Sequence, residues 1–320
     1  MLAACAAFAQ TNVSVPLPLP SLQVNRTSTG EVYVSPDVNC HQGYATDGTN
    51  HYTFDTQRIE KRLADANWTC VLSNTAPLAG IPGVNHLGDG AYYNGRIYIV
   101  AENWGGCGNY HYQNILVFDS DTLARLEVHD VSAQGNEVSG LVVVPDQGTN
   151  GIIYVTSYCD GSKIFKYDLA TFAYLGNLPL RKPIPWLQGI AYHDGMFYAP
   201  CDIDGLYSID QSGNVNLVYL SHLPGNHEGL DYSQNELRWL IDSGNGNKHV
   251  HYIDIGSVSV TWPGAAAGWI LESTTNLFDP AAWTPVSYPI NTNSIGTNAA
   301  QTSFADPAPG GTRFYRLRKP

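Results

Sequence analysis

The chain carries little charge. Only 14% of its 320 residues are Asp, Glu, Lys or Arg, and acidic residues outnumber basic ones 28 to 16. Disorder needs high charge and few aromatics, and this composition excludes it. The formal net charge of −12 comes with no clustered Lys and Arg, which excludes a phosphate backbone as partner. No run of about 18 apolar residues occurs, so no helix is expected to span a membrane. Cysteine is sparse, six in all. None shows Cys-x-x-Cys or Cys/His zinc spacing, which excludes a structural zinc module.

What is abundant points to strands. Hydrophobic residues make up 43% of the chain, enough for a large core, and 31 Gly and 20 Tyr suit tight turns between aromatic-rich strands. One short motif recurs five times: His41-Gln42-Gly43, His86-Leu87-Gly88, Val138-Ser139-Gly140, Leu187-Gln188-Gly189 and His227-Glu228-Gly229. The glycines recur at intervals of roughly 45 residues, a period of propellers and other repeat arrays. After each comes an apolar run, a turn and a second run. In the second repeat the expected strands are 88–93, 96–101, 113–118 and 125–131, with a hairpin turn at Asn94-Gly95. Asp119-Ser-Asp-Thr122 and Asp168-Leu-Ala-Thr171 occupy matching places between third and fourth strands of repeats two and three.

The expected fold is all-β: a five-bladed β-propeller over residues 30–255. The fifth repeat lacks a fourth strand and residues 31–35 lack a partner, so this N-terminal strand is expected to close the ring as the outer strand of the fifth blade. Residues 256–320 read as a small β-sandwich-like C-terminal module with strands near 258–262, 269–273, 283–287 and 314–318. Residues 11–29, with Val15-Pro-Leu-Pro-Leu-Pro20, read as a Pro-rich linker. Residues 1–10 read as the remnant of an export signal, because Ala7-Phe8-Ala9 before Gln10 fits small-x-small cleavage. Leu2-Ala3-Ala4-Cys5 resembles a bacterial lipobox, which makes Cys5 a candidate lipid anchor. The expected location is secreted, periplasmic or cell-surface.

The chain enters each innermost strand from one face of a propeller, and the second strand returns to that face. Residues before each repeat glycine and residues ending each second strand therefore meet at one channel mouth. His41, His86 and His227 lie on repeats one, two and five, neighbours in a ring of five. With Glu228, Glu102 and Tyr158 nearby, two roles are open. The histidines with Glu102 can hold one divalent metal, Zn, Mn or Ca. Alternatively His41, His86, His227, Glu228 and Tyr158 serve as general acids and bases. Trp104, Trp186 and Tyr110 can stack on sugar rings, and Gln42 and Gln188 can bond hydroxyls. The competing structural role for each is wall packing or turn capping. Cys40, Cys70, Cys107, Cys159 and Cys201 leave an odd thiol. A Cys107–Cys159 bridge would rigidify the mouth, but Cys201 competes for Cys159 and the pairing stays open.

The repeats resemble the broad NHL-repeat, gluconolactonase-like and glutaminyl-cyclase-like propeller superfamily through the glycine and its paired strands. That resemblance implies the fold and carries over no site residue. The C-terminal Thr-Trp-Pro, Leu-Glu-Ser-Thr-Thr-Asn-Leu, Trp-Thr-Pro-Val and Phe-Tyr-Arg-Leu-Arg segments resemble modules appended to secreted proteins of verrucomicrobial and planctomycete bacteria. The functional expectation is a secreted bacterial enzyme, a hydrolase or lyase acting on a polysaccharide or glycoconjugate. The alternatives are a non-catalytic surface propeller that binds glycans or forms an extracellular assembly, and a calcium-dependent lactonase or esterase-like hydrolase.

Overall fold

The computed structural model describes residues 23–26, 30–145, 151–193, 195–202, 205–220, 225–233, 236–242, 248–254, 258–263, 270–274, 283–286, 291–293, 301–306 and 314–318. The expected export signal, Cys5 and the prolines of residues 15–20 lie outside them.

Among the described residues, the repeats form five four-stranded antiparallel sheets. Each is written here from its innermost strand outward. Blade 1 is Gly43–Thr46, Asn50–Asp55, Arg58–Leu63 and Cys70–Asn74; blade 2 is His86–Tyr93, Arg96–Trp104, Tyr110–Asp119 and Arg125–Asp130. Blade 3 is Leu141–Val144, Ile152–Val155, Lys163–Asp168 and Tyr174–Pro179; blade 4 is Ala191–His193, Met196–Cys201, Gly205–Asp210 and Val215–Leu220. Blade 5 is Asn226–Ser233, Glu236–Asp242 and Lys248–Asp254, and its outer strand is the N-terminal Gly30–Val34, paired antiparallel with Gly30 opposite Asp254. The innermost strands pack side by side, and the fifth packs on the first. The fold is a β-propeller closed by its N-terminal strand.

The core follows from strand alternation. In Arg96–Trp104, Ile97, Ile99 and Ala101 join Tyr52, Phe54 and Ile59 of blade 1, whereas Tyr98 and Val100 join Leu141, Ile153 and Phe165 of blade 3. Successive side chains point to opposite faces, and each face of a blade is covered by a neighbour. The strand therefore reads as an unbroken apolar run. Analogous clusters occupy the junctions of blades 3–4, 4–5 and 5–1.

The turns are built as their residues dictate. Asn94 and Gly95 have φ of 49° and 77°, the left-handed pair of a two-residue hairpin. Asp119 Oδ1 accepts from Thr122 N at 2.8 Å, and Asp168 Oδ1 accepts from Thr171 N at 2.8 Å, two copies of one capped turn.

The repeat glycine has a steric cause. A Cβ on Gly43, Gly88, Gly140, Gly189 or Gly229 would lie 2.3–2.8 Å from a neighbouring atom, mostly backbone or the Asp89 side chain. Asp89 sits in this hub, fully buried, and accepts from Tyr44 N and Leu230 N, each at 3.0 Å. Burial pushes its carboxyl well above the ordinary aspartate range.

The second compact unit contains two sheets. One runs Gln23–Arg26, Val258–Pro263, Gln301–Asp306, Asn291–Asn293; the other runs Thr284–Pro285, Ile270–Thr274, Phe314–Arg318. Residues 23–26 were expected within the linker. They form a strand because the prolines end at Pro20 and Gln23-Val-Asn-Arg26 keeps its N–H donors. Strands 291–293 and 301–306 were also unexpected. Glu272, buried in the three-stranded sheet, accepts from Arg316 Nε at 2.8 Å and Arg318 Nε at 2.6 Å.

Candidate functional site

On the face where the chain enters the innermost strands, a cavity of about 210 Å³ lies on the axis above the glycine ring. Its wall includes Gln42, His86, Glu102, Trp104, Glu137, Tyr158, Gln188, Asp202, Asn226 and Glu228. Among the described residues lining it, none is Lys or Arg.

The floor and wall come from equivalent strand positions. Acids that end second strands reach across to the chain entering the next blade. Glu102 of blade 2 accepts from Val138 N of blade 3 at 3.4 Å, and Asp202 of blade 4 accepts from His227 N of blade 5 at 3.1 Å. Asp242 of blade 5 meets His41 Nδ1 of blade 1 at 2.7 Å. These acids thus stitch adjacent blades as well as facing the mouth. The blade 3–4 contact is Ser139 Oγ donating to Gln188 Oε1 at 2.7 Å.

Burial shifts three glutamates in the wall upward. Burial raises Glu102 to about 9, and the neighbouring Glu137 adds to the rise once it ionises. Burial raises Glu137 to about 8. Burial, then the charges of Asp202, Asp242 and Asp89, pushes Glu228 well above the ordinary carboxyl range. No Lys or Arg among the described lining residues offsets the desolvation, so Glu102 and Glu137 keep their protons at neutral pH. Glu137 is the most exactingly held. Its Oε1 accepts from Cys159 N at 2.9 Å and its carbonyl accepts from Gln134 Nε2 at 2.6 Å. Its Oε2 is buried and has no hydrogen-bond partner among the described residues.

Tyr158 donates its hydroxyl to Asp202 Oδ2 at 3.3 Å, and burial followed by the Asp202 charge raises it to about 12. Its ring meets Trp104 edge-on, with centroids 6.0 Å apart. Cys159 is bonded to Cys107, joining the blade-2 hairpin to the loop that holds Glu137; Cys40, Cys70 and Cys201 take part in no disulfide among the described residues. This resolves the pairing that the repeat register left open.

The structure does not gather the three histidines. His86 lines the cavity, bonded through Nε2 to Gln42 Oε1 at 2.9 Å, and burial lowers it to about 4, so it is neutral. His41 is engaged by Asp242 outside the cavity wall. His227 is buried with Nδ1 3.1 Å from Cys201 O and its ring edge-on to Trp239. No group of three or more His, Cys, Asp or Glu side chains poised for a metal occurs among the described residues. His41, His86, His227 and Glu102, expected as ligands of one divalent metal, form no such group. A ring of five separates equivalent positions by a blade width, and local acids and carbonyls turn two imidazoles aside.

Two aromatic candidates also fall elsewhere. Trp186 is 41% exposed and does not line the cavity, and Tyr110 lines a neighbouring groove. Gln42, Gln188, Trp104, Tyr158, Glu102 and Glu228 do meet at the axis. Asp89 was missed. Its signal was the extra Gly90 after it, making Gly88-Asp89-Gly90 the one repeat with a carboxylate between two glycines.

The geometry defines a β-propeller with a small, acid-lined axial pocket. No family model matches the chain, and no curated protein matches its sequence. Among solved structures it is similar to Myxococcus xanthus glutaminyl cyclase, with TM-score 0.53 and 11% identity over 71% of this chain and 95% of that one. A catalytically inactive virginiamycin B lyase from Staphylococcus aureus with quinupristin aligns with TM-score 0.40 and 10% identity, over 76% of this chain and 71% of that one. The likeness to the cyclase concerns the fold alone.

Proposed function

We propose that the chain is an acid–base enzyme whose axial cavity takes one polar end residue of a glycan. The observation that carries this reading is the set of proton-holding glutamates around one small cavity with Trp104 and Tyr158 in its wall. A volume of about 210 Å³ is smaller than ordinary ligand pockets of about 300–1,000 Å³, and suits a single ring. Without Lys or Arg, the wall disfavours uronates and phosphates and favours neutral or amine-bearing sugars.

In this reading the reaction is glycoside hydrolysis. Glu137 is the acid: its Oε2 proton passes to the glycosidic oxygen as the C–O bond breaks. Asp202 is the base: it takes a proton from water as the water oxygen bonds to the anomeric carbon. Proton donation by a held carboxyl contributes about 10²–10⁴-fold. Tyr158 orients Asp202, and Gln42 and Gln188 bond sugar hydroxyls. The Cys107–Cys159 disulfide supports an exported location, since such bonds persist in oxidising compartments.

The wall without Lys or Arg also favours a second reading, a reaction at a peptide's amino terminus, because Asp202 can accept a hydrogen bond from an amine. The test is a substrate panel: aryl glycosides of neutral, amino and uronic sugars beside amino-terminal glutaminyl peptides. Turnover of neutral or amino glycosides that Glu137→Gln abolishes supports the first reading. Turnover of the peptides alone replaces it with the second, and turnover of uronates alone overturns both.

A further inference from the structure

The second and third strands of blade 2 run further than their apolar pattern predicts. They continue to Trp104 and from Tyr110, which face each other across the hairpin, and Gly105 N donates to Asn109 O at 2.9 Å in its tip. The Cys107–Cys159 bond ties that tip to blade 3. The result is a fixed ridge beside the axial cavity.

A groove of about 550 Å³ lies against this ridge, lined by Tyr110, His111, Tyr112, Gln113, Ser132 and Asn136 with Gly135. Its most informative residue is Tyr112. It is 59% exposed and has φ of 57°, a left-handed backbone that a bulky side chain rarely adopts. The chain holds it there. Its carbonyl accepts from Asn114 Nδ2, and its ring rests on bare backbone at Gly83, where a Cβ would come within 2.5 Å of the ring. Asn103 Nδ2 donates to Gly83 O at 2.6 Å, securing the support beneath. Packing gains little from a ring left mostly in water, so strain maintained to present it points to a ligand. The His111 ring stands at 65° to it with centroids 6.2 Å apart, giving two angled aromatic faces.

The lining chemistry selects the ligand. No Lys, Arg, Asp or Glu lines the groove, while Gln113, Asn136 and Ser132 offer amide and hydroxyl groups. Aromatic faces take the C–H faces of pyranose rings, and amides bond their hydroxyls. The absence of cations disfavours a nucleic acid or another polyanion.

Residues of the groove adjoin residues of the axial cavity. Trp104 in the cavity wall is the cross-strand partner of Tyr110 in the groove. Asn136 of the groove precedes Glu137 of the cavity, and Tyr110 Oη donates to Asn136 Oδ1 at 3.1 Å.

We propose that this groove holds the following sugar units of a neutral glycan whose end residue occupies the axial cavity, so that the protein works from chain ends. The proposal rests on the glycan reading above and adds a second subsite and a direction to it.

The test is calorimetry on the full chain with Glu137→Gln, using neutral xylo-, manno- and gluco-oligosaccharides of one to five units. The expected result is affinity that rises at least tenfold from one to three units in one series. Tyr112→Gly, which relieves the left-handed strain as it removes the ring, should flatten that rise, and Tyr112→Phe should keep it. His111→Ala gives a second, smaller loss in a residue that supports no core. Affinity independent of length overturns the proposal, as does a rise that survives both Tyr112→Gly and His111→Ala. Ring-dependent binding of uncharged peptides in place of sugars also overturns it. The single-residue aryl glycosides report separately. Their turnover with no length effect sinks the groove alone, and length-dependent binding with no turnover of any glycoside sinks the hydrolase reading alone.

Discussion

Blades 5 and 1 and blades 2 to 4 present the same strand positions to the same face of the ring, yet they treat their polar side chains differently. In the first sector His41 and Asp242 engage each other, and His227 lies against Cys201 O and Trp239. These three side chains are turned to protein partners, and this sector offers the cavity Gln42, Asn226 and Glu228. In the second sector Glu102 and Glu137 are buried near each other, Asp202 accepts from a phenol and a backbone N–H, and no Lys or Arg is among the described residues lining the cavity. Proximity of ionisable groups is therefore a poor guide to reactivity on its own. What matters is whether the partners satisfy one another or leave a proton facing a cavity.

The sharpest way to break this comparison is substitution in the second sector. Glu137→Gln should lower turnover by about 10²–10⁴-fold, the contribution of one positioned proton donor, with the fold kept by circular dichroism. A loss below tenfold would move the chemistry elsewhere. The hub common to both sectors comes next. Asp89→Ala strands the N–H groups of Tyr44 and Leu230 in the interior and should cost about 2–4 kcal/mol in urea unfolding. The disulfide distinguishes the sectors again. Cys107→Ser with Cys159→Ser should cost about 2–3 kcal/mol and should lower turnover, because Cys159 N holds Glu137.

The pH dependence follows from Glu137. Its proton is held to about 8 in the folded chain, against 4.5 when unfolded. The stability associated with it is fully present below pH 4.5 and is lost as pH rises through 8. Turnover that needs this proton should fall about tenfold per pH unit above 8, measured as kcat/KM, and Glu137→Gln should flatten the decline of stability between pH 5 and 8. The smallest effect belongs to the first sector. His41→Ala removes a hydrogen bond to Asp242 from an imidazole that is 42% exposed, and should change stability by about 0–1 kcal/mol and turnover by less than threefold.

Much of the fold was legible because it repeats. The glycine recurs where backbones crowd the axis, Asn94-Gly95 makes its left-handed turn, and the missing fourth strand of blade 5 called for residues 31–35. Each of these is a local requirement written in residue type. The cavity wall was partly legible for the same reason: Gln42, Gln188, Glu102 and Glu228 occupy register positions that the repeat sends to one face. The histidines misled because register gives the face and not the direction of the side chain. Their orientation was decided by Asp242, Gln42 and Cys201, which belong to other blades.

By itself, then, the sequence determined a ring of strands, its closure and the face on which polar side chains collect, since these depend on periodicity and turn chemistry within about 50 residues. Tertiary structure alone decided which carboxyls stay protonated, that Asp89 fills the hub, that Cys107 pairs with Cys159 and that Tyr112 is held up beside the cavity. Those outcomes depend on desolvation and on contacts between blades, and neither exists until the ring closes.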